Sequence, residues 1–263
     1  MGEPRTPARD GAKAYSTVTK ATEVLSSFSF AEPVLGVSEL ARRLGMGKST
    51  VYRLLTTLVR AGWVEQTSDS RYRLSLKVYE LGQQVVAGLD LRDVAHTPLE
   101  ALRAQTGLTT HVAVLSVPDV VYVYRFESPG MIAASARLGR RRPAHGSSAG
   151  KCLLAFGDRS QVEAVVRAGL HRLGPRTIRS RSSFERALAE VRRAGHAISV
   201  EESSPGMSSI AAPVFDATGA CTAAVAVSGP PFALPEEDHP RVVRMVVATA
   251  AEISRGLTAR QRA

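Results

Sequence analysis

Two short stretches of the chain hold residue types that can do chemistry at the spacing they keep. The first is Lys48-Ser-Thr-Val-Tyr-Arg53. If it opens a helix whose buried stripe is Val51, Leu54, Leu55 and Leu58, then Lys48, Ser49, Thr50, Tyr52 and Arg53 stay on accessible faces near the helix start. That composition suits a DNA major groove. Arginine and lysine reach guanine O6 and N7 or a phosphate, hydroxyls meet bases or phosphates, and the unpaired amides of a helix start favour anions. The second stretch is Gly146-Ser-Ser-Ala-Gly150, a G-x-S-x-G pattern with Ser148 in the nucleophile position. Asp216 and His239 follow it in the chain order used by α/β-hydrolases.

The hydrolase reading meets several obstacles. A nucleophile elbow follows a buried strand, whereas Arg140-Arg-Arg-Pro-Ala-His145 is charged and broken by Pro143. There is no His-Gly-Gly oxyanion loop, and His239 precedes Pro240 where a helix is expected to start. No catalytic residue is therefore assigned. A phosphate-binding loop ending at Gly150-Lys151 would need glycine at 145, where histidine stands. The six histidines, His96, His111, His145, His171, His196 and His239, lack metal-ligand spacing and are expected at the surface or in structural roles, so no metal or other cofactor is assigned. The arginines at 140–142, 172, 176, 179 and 181 could draw DNA or an anionic effector, and solvated loops are the expected reading for them.

The elements that must position the first stretch follow from apolar periodicity. Residues 1–16 read as a flexible tail. A first helix is expected over 17–27, and a loop at 31–36 contains Pro33. Ser38 is expected to cap a short helix running to Arg43, with Leu40, Ala41 and Leu44 inward and Gly45 as its stop. The helix from Lys48 closes at Ala61-Gly62, which completes a helix-turn-helix order. Residues 63–66 and 71–74 can pair as a hairpin wing across the polar turn 67–70, which places Arg71 and Arg73 on the wing. A linker helix is expected over 76–90.

The rest, 91–258, alternates helices with β-branched strands. Helices are expected at 91–105, 147–156, 161–168, 184–195 and 236–257, with strands at 109–117, 120–127, 197–200, 210–215 and 222–228. That order is α+β around an antiparallel sheet.

Composition bounds the function classes. With 263 residues and ordinary apolar and charged fractions, two domains are expected. Cys152 and Cys221 stand far apart with no Cys-x-x-Cys, which argues against a zinc knuckle or a disulfide framework. No apolar run is long enough for a membrane span and the start is polar, so no membrane partner and a cytoplasmic location are expected. The net charge of +10 favours polyanions, but the excess is shared by both halves, so a DNA assignment must rest on local pattern.

That pattern resembles a known family. Val37-Ser-Glu-Leu-Ala-Arg-Arg-Leu-Gly-Met-Gly-Lys-Ser-Thr-Val-Tyr-Arg-Leu-Leu-Thr-Thr-Leu58, Gly62-Trp-Val-Glu65 and Tyr72-Arg-Leu74 look like the DNA-binding half of IclR-type transcriptional regulators. The likeness continues through Ala144-His-Gly-Ser-Ser-Ala-Gly-Lys151, Gly195-His-Ala-Ile198, Glu201-Glu202, Gly206, Ile210-Ala-Ala-Pro-Val-Phe-Asp216 and Val227-Ser-Gly-Pro230. The resemblance implies a winged helix-turn-helix, a linker helix and a GAF-like effector-binding domain, assembled as a homodimer or a dimer of dimers on double-stranded operator DNA. Repression is the favoured direction.

Further expectations follow from the resemblance. Gly47 and Leu74-Ser75 depart from the family's usual residues, which predicts a looser recognition-helix start and wing exit. The effector pocket is expected among Met131 and its loop to Ala134, Ser148, Ala149, Ser199, Ser209, Ala226 and Ser228. Members that take small carboxylates often carry an acidic or polar group near Ser199 and a hydroxyl at Ala226. Both positions are smaller or less polar here, while amides at 147–150 can still hold an anion. The other readings are the serine hydrolase already set aside and a ligand-independent DNA-binding protein.

Overall fold

A computed structural model describes residues 16–87, 91–128, 139 and 141–261. Residues 1–15 of the tail expected over 1–16, the linker end at 88–90 and the Met131 loop lie outside the described residues, while Ser16 opens the first helix instead of closing the tail. The chain divides into two compact units, Met1–Val85 and Val86–Ala263.

In the first unit α1 (Ser16–Ser26), β1 (Val34–Leu35), α2 (Val37–Leu44), α3 (Lys48–Arg60), β2 (Val64–Gln66) and β3 (Tyr72–Leu74) follow one another, and α4 (Leu76–Ala87) runs on from them. The core is what the periodicity requires. Val24, Leu35, Leu40, Val51, Leu54, Leu55, Leu58, Val64 and Tyr72 are buried together, and each aliphatic side chain removed from water contributes about 1.5–3 kcal/mol.

Gly45 ends α2 at φ +63°, a left-handed position that glycine takes without a Cβ penalty. The start of α2 differs from expectation. Gly36, not Ser38, is the cap, and Glu39 reaches back to accept a hydrogen bond from the Gly36 amide at 2.6 Å. A glutamate three residues into the helix can serve the amide directly, which leaves the Ser38 hydroxyl exposed on the first turn.

The loop expected at 31–36 contains β1, which pairs with β3 to give the antiparallel order β1-β3-β2. The wing exit is not loose. The Ser75 amide donates to the Trp63 carbonyl at 3.0 Å, and its hydroxyl donates to the Gly62 carbonyl. The α3 start does lack a side-chain cap, since Gly47 supplies only its carbonyl to the Thr50 and Val51 amides.

The second unit is a six-stranded antiparallel sheet with helices on both faces. Its strands are β4 (Thr109–Ser116), β5 (Asp119–Phe126), β6 (Arg141–Pro143), β7 (Ala197–Val200), β8 (Ser208–Phe215) and β9 (Cys221–Gly229), in the order β6-β5-β4-β9-β8-β7. Alternation sorts each strand between two cores. Val112, Ile210, Val214, Val225 and Val227 face α5 (Leu91–Thr106) and α9 (His239–Gln261). Ala113, Ala197, Ala211, Ala224 and Ala226 face α6 (Ser148–Phe156) and α8 (Arg181–Ala194), with α7 (Arg159–Ala168) beside them. Small residues on that face let α6 settle close to the sheet. A Cβ at Gly150 would lie 2.1 Å from the Ala144 carbonyl oxygen.

Several boundaries differ from the sequence reading, and one strand is added to it. Helix α8 begins at Arg181 because Ser180 caps it by accepting from the Ser183 amide at 3.2 Å. The last helix starts at His239 after one 3₁₀ turn over Glu236–Asp238. The charged run before Gly146 does contain a strand, β6, which pairs antiparallel with β5 at the sheet edge. The objection that no strand precedes Ser148 therefore fails as stated. A 3₁₀ turn at Ala144–Gly146 still separates this three-residue edge strand from α6, so no strand-turn-helix elbow forms.

Candidate nucleic-acid interface and effector cavity

The exposed side of α3 carries Lys48, Ser49, Tyr52, Arg53, Thr57 and Arg60, with Thr50 half-buried. Tyr52 is 56% exposed, unusual for a ring beside a packed core, and it stands next to Arg53. The helix contains no acidic residue. No ion pair among the described residues involves Lys48, Arg53 or Arg60, so no described carboxylate competes with a ligand for these cations.

The two wing arginines are arranged differently. Arg71 donates to the Val34 carbonyl and pairs with Glu39, both at 3.0 Å, while Arg73 pairs with Glu65 across the hairpin at 2.9 Å. The Gly36 amide first, and Arg71 second, hold the Glu39 carboxyl below its ordinary range. Arg71 thus ties the wing to the start of α2. It is less available to phosphate than Arg53.

In the second unit the sheet face toward α6 ends in a row of hydroxyls. Ser199 lies opposite Ser209, Ser209 opposite Ser228, and Ser228 opposite Thr109. The N-terminus of α6 sits over this row, and the Ser148 hydroxyl donates to the Ser209 hydroxyl at 2.8 Å. Ser147 caps the helix by accepting from the Gly150 amide at 3.0 Å, which leaves the Ser148 and Ala149 amides without partners inside the helix.

A cavity of about 20 Å³, the room of about one water molecule, opens between these parts. Its described lining is His111 and Tyr122 from β4 and β5, Arg142 from β6, Ser147, Ser148 and Ala149 from the helix start, Ser203 and Met207 from the β7–β8 connection, and Ser209 and Ser228. No carboxylate is among these residues.

Of the residues expected here, Ser148, Ala149, Ser209 and Ser228 come together. Ser199 is adjacent in the row but spends its hydroxyl on the Gly146 carbonyl at 3.2 Å. Ala226 lies opposite His111 in the core beneath α6. Met131 lies outside the described residues.

The sequence reading missed His111 and Arg142 as cavity residues. His111 is 2% exposed, stacks edge-on against Tyr122 with ring centroids 4.5 Å apart, and has a buried Nδ1 without a hydrogen-bond partner. Burial first, and the nearby Arg125 charge second, push its pKa down to about 3, so the ring is neutral at ordinary pH. Arg142 donates to the Ser203 carbonyl at 3.1 Å, which joins the sheet edge to the β7–β8 connection. The only legible signal was alternation, which sets His111 with Ala113 on the face away from Val112 and Val114.

A buried ion pair holds the same region. Lys151 on α6 donates to the Ile198 carbonyl at 2.8 Å and pairs with Glu202, whose carboxyl is pushed up by burial. The hydrolase triad is not assembled. Asp216 is committed to the β8–β9 turn, accepting from the Thr218 hydroxyl and the Ala220 amide. It is seven residues beyond Ser209, to which Ser148 is bonded, so serine and aspartate stand roughly 20 Å apart along the strand. No described helix is long and apolar enough to cross a membrane.

Comparison with known proteins gives the same picture for both units. Residues 17–68 match the model of the IclR helix-turn-helix domain, and residues 83–255 match that of the bacterial transcriptional regulator IclR C-terminal domain. The transcriptional regulator KdgR of Escherichia coli K12 is 34% identical over 241 residues, covering 91% of each chain. The transcriptional repressor AllR of Klebsiella pneumoniae is 32% identical over 223 residues, covering 84% of this chain and 82% of that protein. Among solved structures, an IclR homolog from Microbacterium hydrocarbonoxydans complexed with 4-hydroxybenzoate superposes with a TM-score of 0.82 at 27% identity, covering 92% of this chain and 98% of that one. The IclR of Thermotoga maritima gives a TM-score of 0.74 at 29% identity, covering 92% and 98%. With its helix-turn-helix, its helix-flanked antiparallel sheet and both family models matched in order, the chain belongs to the IclR family of bacterial DNA-binding transcriptional regulators.

Proposed function

We propose that this protein is a repressor that holds operator DNA through α3 and whose hold is set by a small organic anion, carboxylates foremost, in the cavity at the start of α6. The observation that carries the effector half is the cavity's composition. Arg142, the α6 amides and a row of hydroxyls converge on one buried point with no described carboxylate to repel an anion. The family likeness supports the same reading, since AllR is named a repressor and the Microbacterium homolog was solved with a hydroxybenzoate.

On the DNA side Lys48, Ser49, Thr50, Tyr52 and Arg53 make the major-groove contacts, Ser38 and Arg73 reach phosphates, and Arg71 acts mainly by fixing the wing. The domain limits that fit this division are 17–75 for DNA binding, 76–90 for the linker and 91–258 for a GAF-like sensor. The protein works in the cytoplasm as a homodimer or a dimer of dimers. The exposed Leu76 and Tyr79, three residues apart on one side of α4, support association, because apolar side chains left in water on one helix face are candidates for pairing.

The experiment is a genome-wide map of bound promoters followed by footprinting of the purified chain. Two protected half-sites centred about one helical turn apart, or a multiple of it, are expected. Uniform protection of any duplex would contradict the reading.

A further inference from the structure

We infer that Lys77 is a positioning residue for operator recognition, which fixes the direction in which α4 leaves the end of α3 and so sets the half-site spacing that a pair of chains accepts. It rests on the pairing of two chains through α4 on a palindromic operator, and adds what sets the distance between their recognition helices.

The β2–β3 hairpin separates α3 from α4 in sequence, yet residues 75–77 return to residues 61–63. The Ser75 amide donates to the Trp63 carbonyl at 3.0 Å, and the Ser75 hydroxyl donates to the Gly62 carbonyl. Lys77 adds two contacts of its own. Its Nζ donates to the Ala61 carbonyl at 2.8 Å and stands 5.4 Å from the centroid of the Trp63 ring. The last carbonyls of a helix have no partner within it and form the negative end of its dipole, so a cation is favoured there on two counts. The ring face adds a third.

Two anchors hold a direction that one cannot. Ser75 alone is a pivot about which a helix can swing, whereas Lys77 reaches α3 from the second residue of α4 and off its axis. No described side chain of α4 is buried, so core packing does not supply that restraint. At about 100° per residue, Lys77 stands roughly 130° around the helix from the midpoint of Leu76 and Tyr79. It therefore faces α3 while that exposed pair stays open to a second chain.

Small changes at this joint are large at the DNA. At about 1.5 Å per residue, Lys48 to Arg53 lie roughly 12–20 Å along α3 from Ala61. A tilt of about 15° at the joint moves them by roughly 3–5 Å, near the ~3.4 Å rise of one base pair. Both helices of a symmetric pair shift, so the accepted spacing changes by about one or two base pairs.

The test uses the full chain and duplexes built from the sequence that the wild type selects out of a random pool. One set keeps both half-sites with the spacer unchanged, lengthened or shortened by single base pairs, and another carries one half-site alone. The wild type should bind the unchanged spacer at least ~10-fold tighter than any altered one. In Lys77→Met, which keeps the stem and removes the charge, that ratio should fall to within ~3-fold, while the Kd for the single half-site stays within ~2-fold of wild type. Lys77→Arg, which keeps a cation for the carbonyl and the ring, should retain the wild-type spacing profile. An unchanged profile in Lys77→Met would overturn the assignment and leave paired recognition in place. An equal loss on the single half-site would also overturn it, and a salt slope lower by about one would then make Lys77 a phosphate contact. If the wild type itself shows no spacing preference, the paired-operator reading falls and this inference falls with it.

Discussion

Two arginines of the first unit show how little a residue type says without its surroundings. Arg73 faces Glu65 at 2.9 Å, whereas Arg53 stands exposed on α3 with no described ion pair. Exposed pairs contribute little to stability, but a paired guanidinium must leave its partner before it meets DNA. Arg53→Ala should weaken operator binding by about 1–3 kcal/mol and relax preference at one base position, and Arg73→Ala should do less and evenly across sequences. A binding-site selection with each variant checks this, and unchanged selectivity in Arg53→Ala would remove it from the base contacts. His111 gives a second prediction at this scale. Its pKa falls from 6.5 to about 3 on folding, so between those values the unfolded chain holds a proton that the folded one does not. Stability therefore rises with pH across that window, at about 1.4 kcal/mol per unit for this one group. Between about pH 7.5 and about pH 5, the wild type should lose roughly 2 kcal/mol more than His111→Phe in urea unfolding. Parallel losses would mean that the ring is not buried neutral.

At the scale of elements, the parts most legible in the sequence were those that carry their own periodicity. Val51, Leu54, Leu55 and Leu58 mark α3 unaided, and Gly45 marks the stop of α2. The elements that escaped notice owe their existence to a partner. Strands β1 and β6 are two and three residues long and are strands only because β3 and β5 pair with them. The cavity divides in the same way. Ser148 and Ala149 sit in one local motif, while His111, Arg142 and Met207 meet them only through sheet register and a loop, which no local spacing encodes. Gly150 shows how tightly the first turn of α6 packs on the 3₁₀ turn that precedes it. Gly150→Ala should cost at least about 1–3 kcal/mol, since its Cβ would press on the Ala144 backbone rather than on a movable side chain. A thermal melt unchanged by that substitution would contradict the packing. Ala149→Leu, at the buried helix start, should raise the effector's Kd at least ~10-fold by filling the cavity's small volume. Calorimetry showing an unaltered Kd would put the binding site elsewhere.

The molecule as a whole couples a DNA-reading unit to a sensing unit, and each is complete enough to carry its own core. Recognition by one short helix per chain gives few base contacts, which is why association into a symmetric pair on a palindromic site is the expected working form. Light scattering on the free chain should give at least a dimer, and a monomer at micromolar concentration would leave the exposure of Leu76 and Tyr79 unexplained. The central claim is that an acid in the cavity changes the affinity for operator. Its most direct measurement is a titration of labelled operator with the chain at fixed salt, in the absence and in the presence of saturating acid. The account predicts a shift in operator Kd of about 5–150-fold, matched by an equal shift in acid affinity when operator is present, because the coupling is reciprocal. An acid that binds the chain tightly yet leaves the operator Kd unchanged would contradict it.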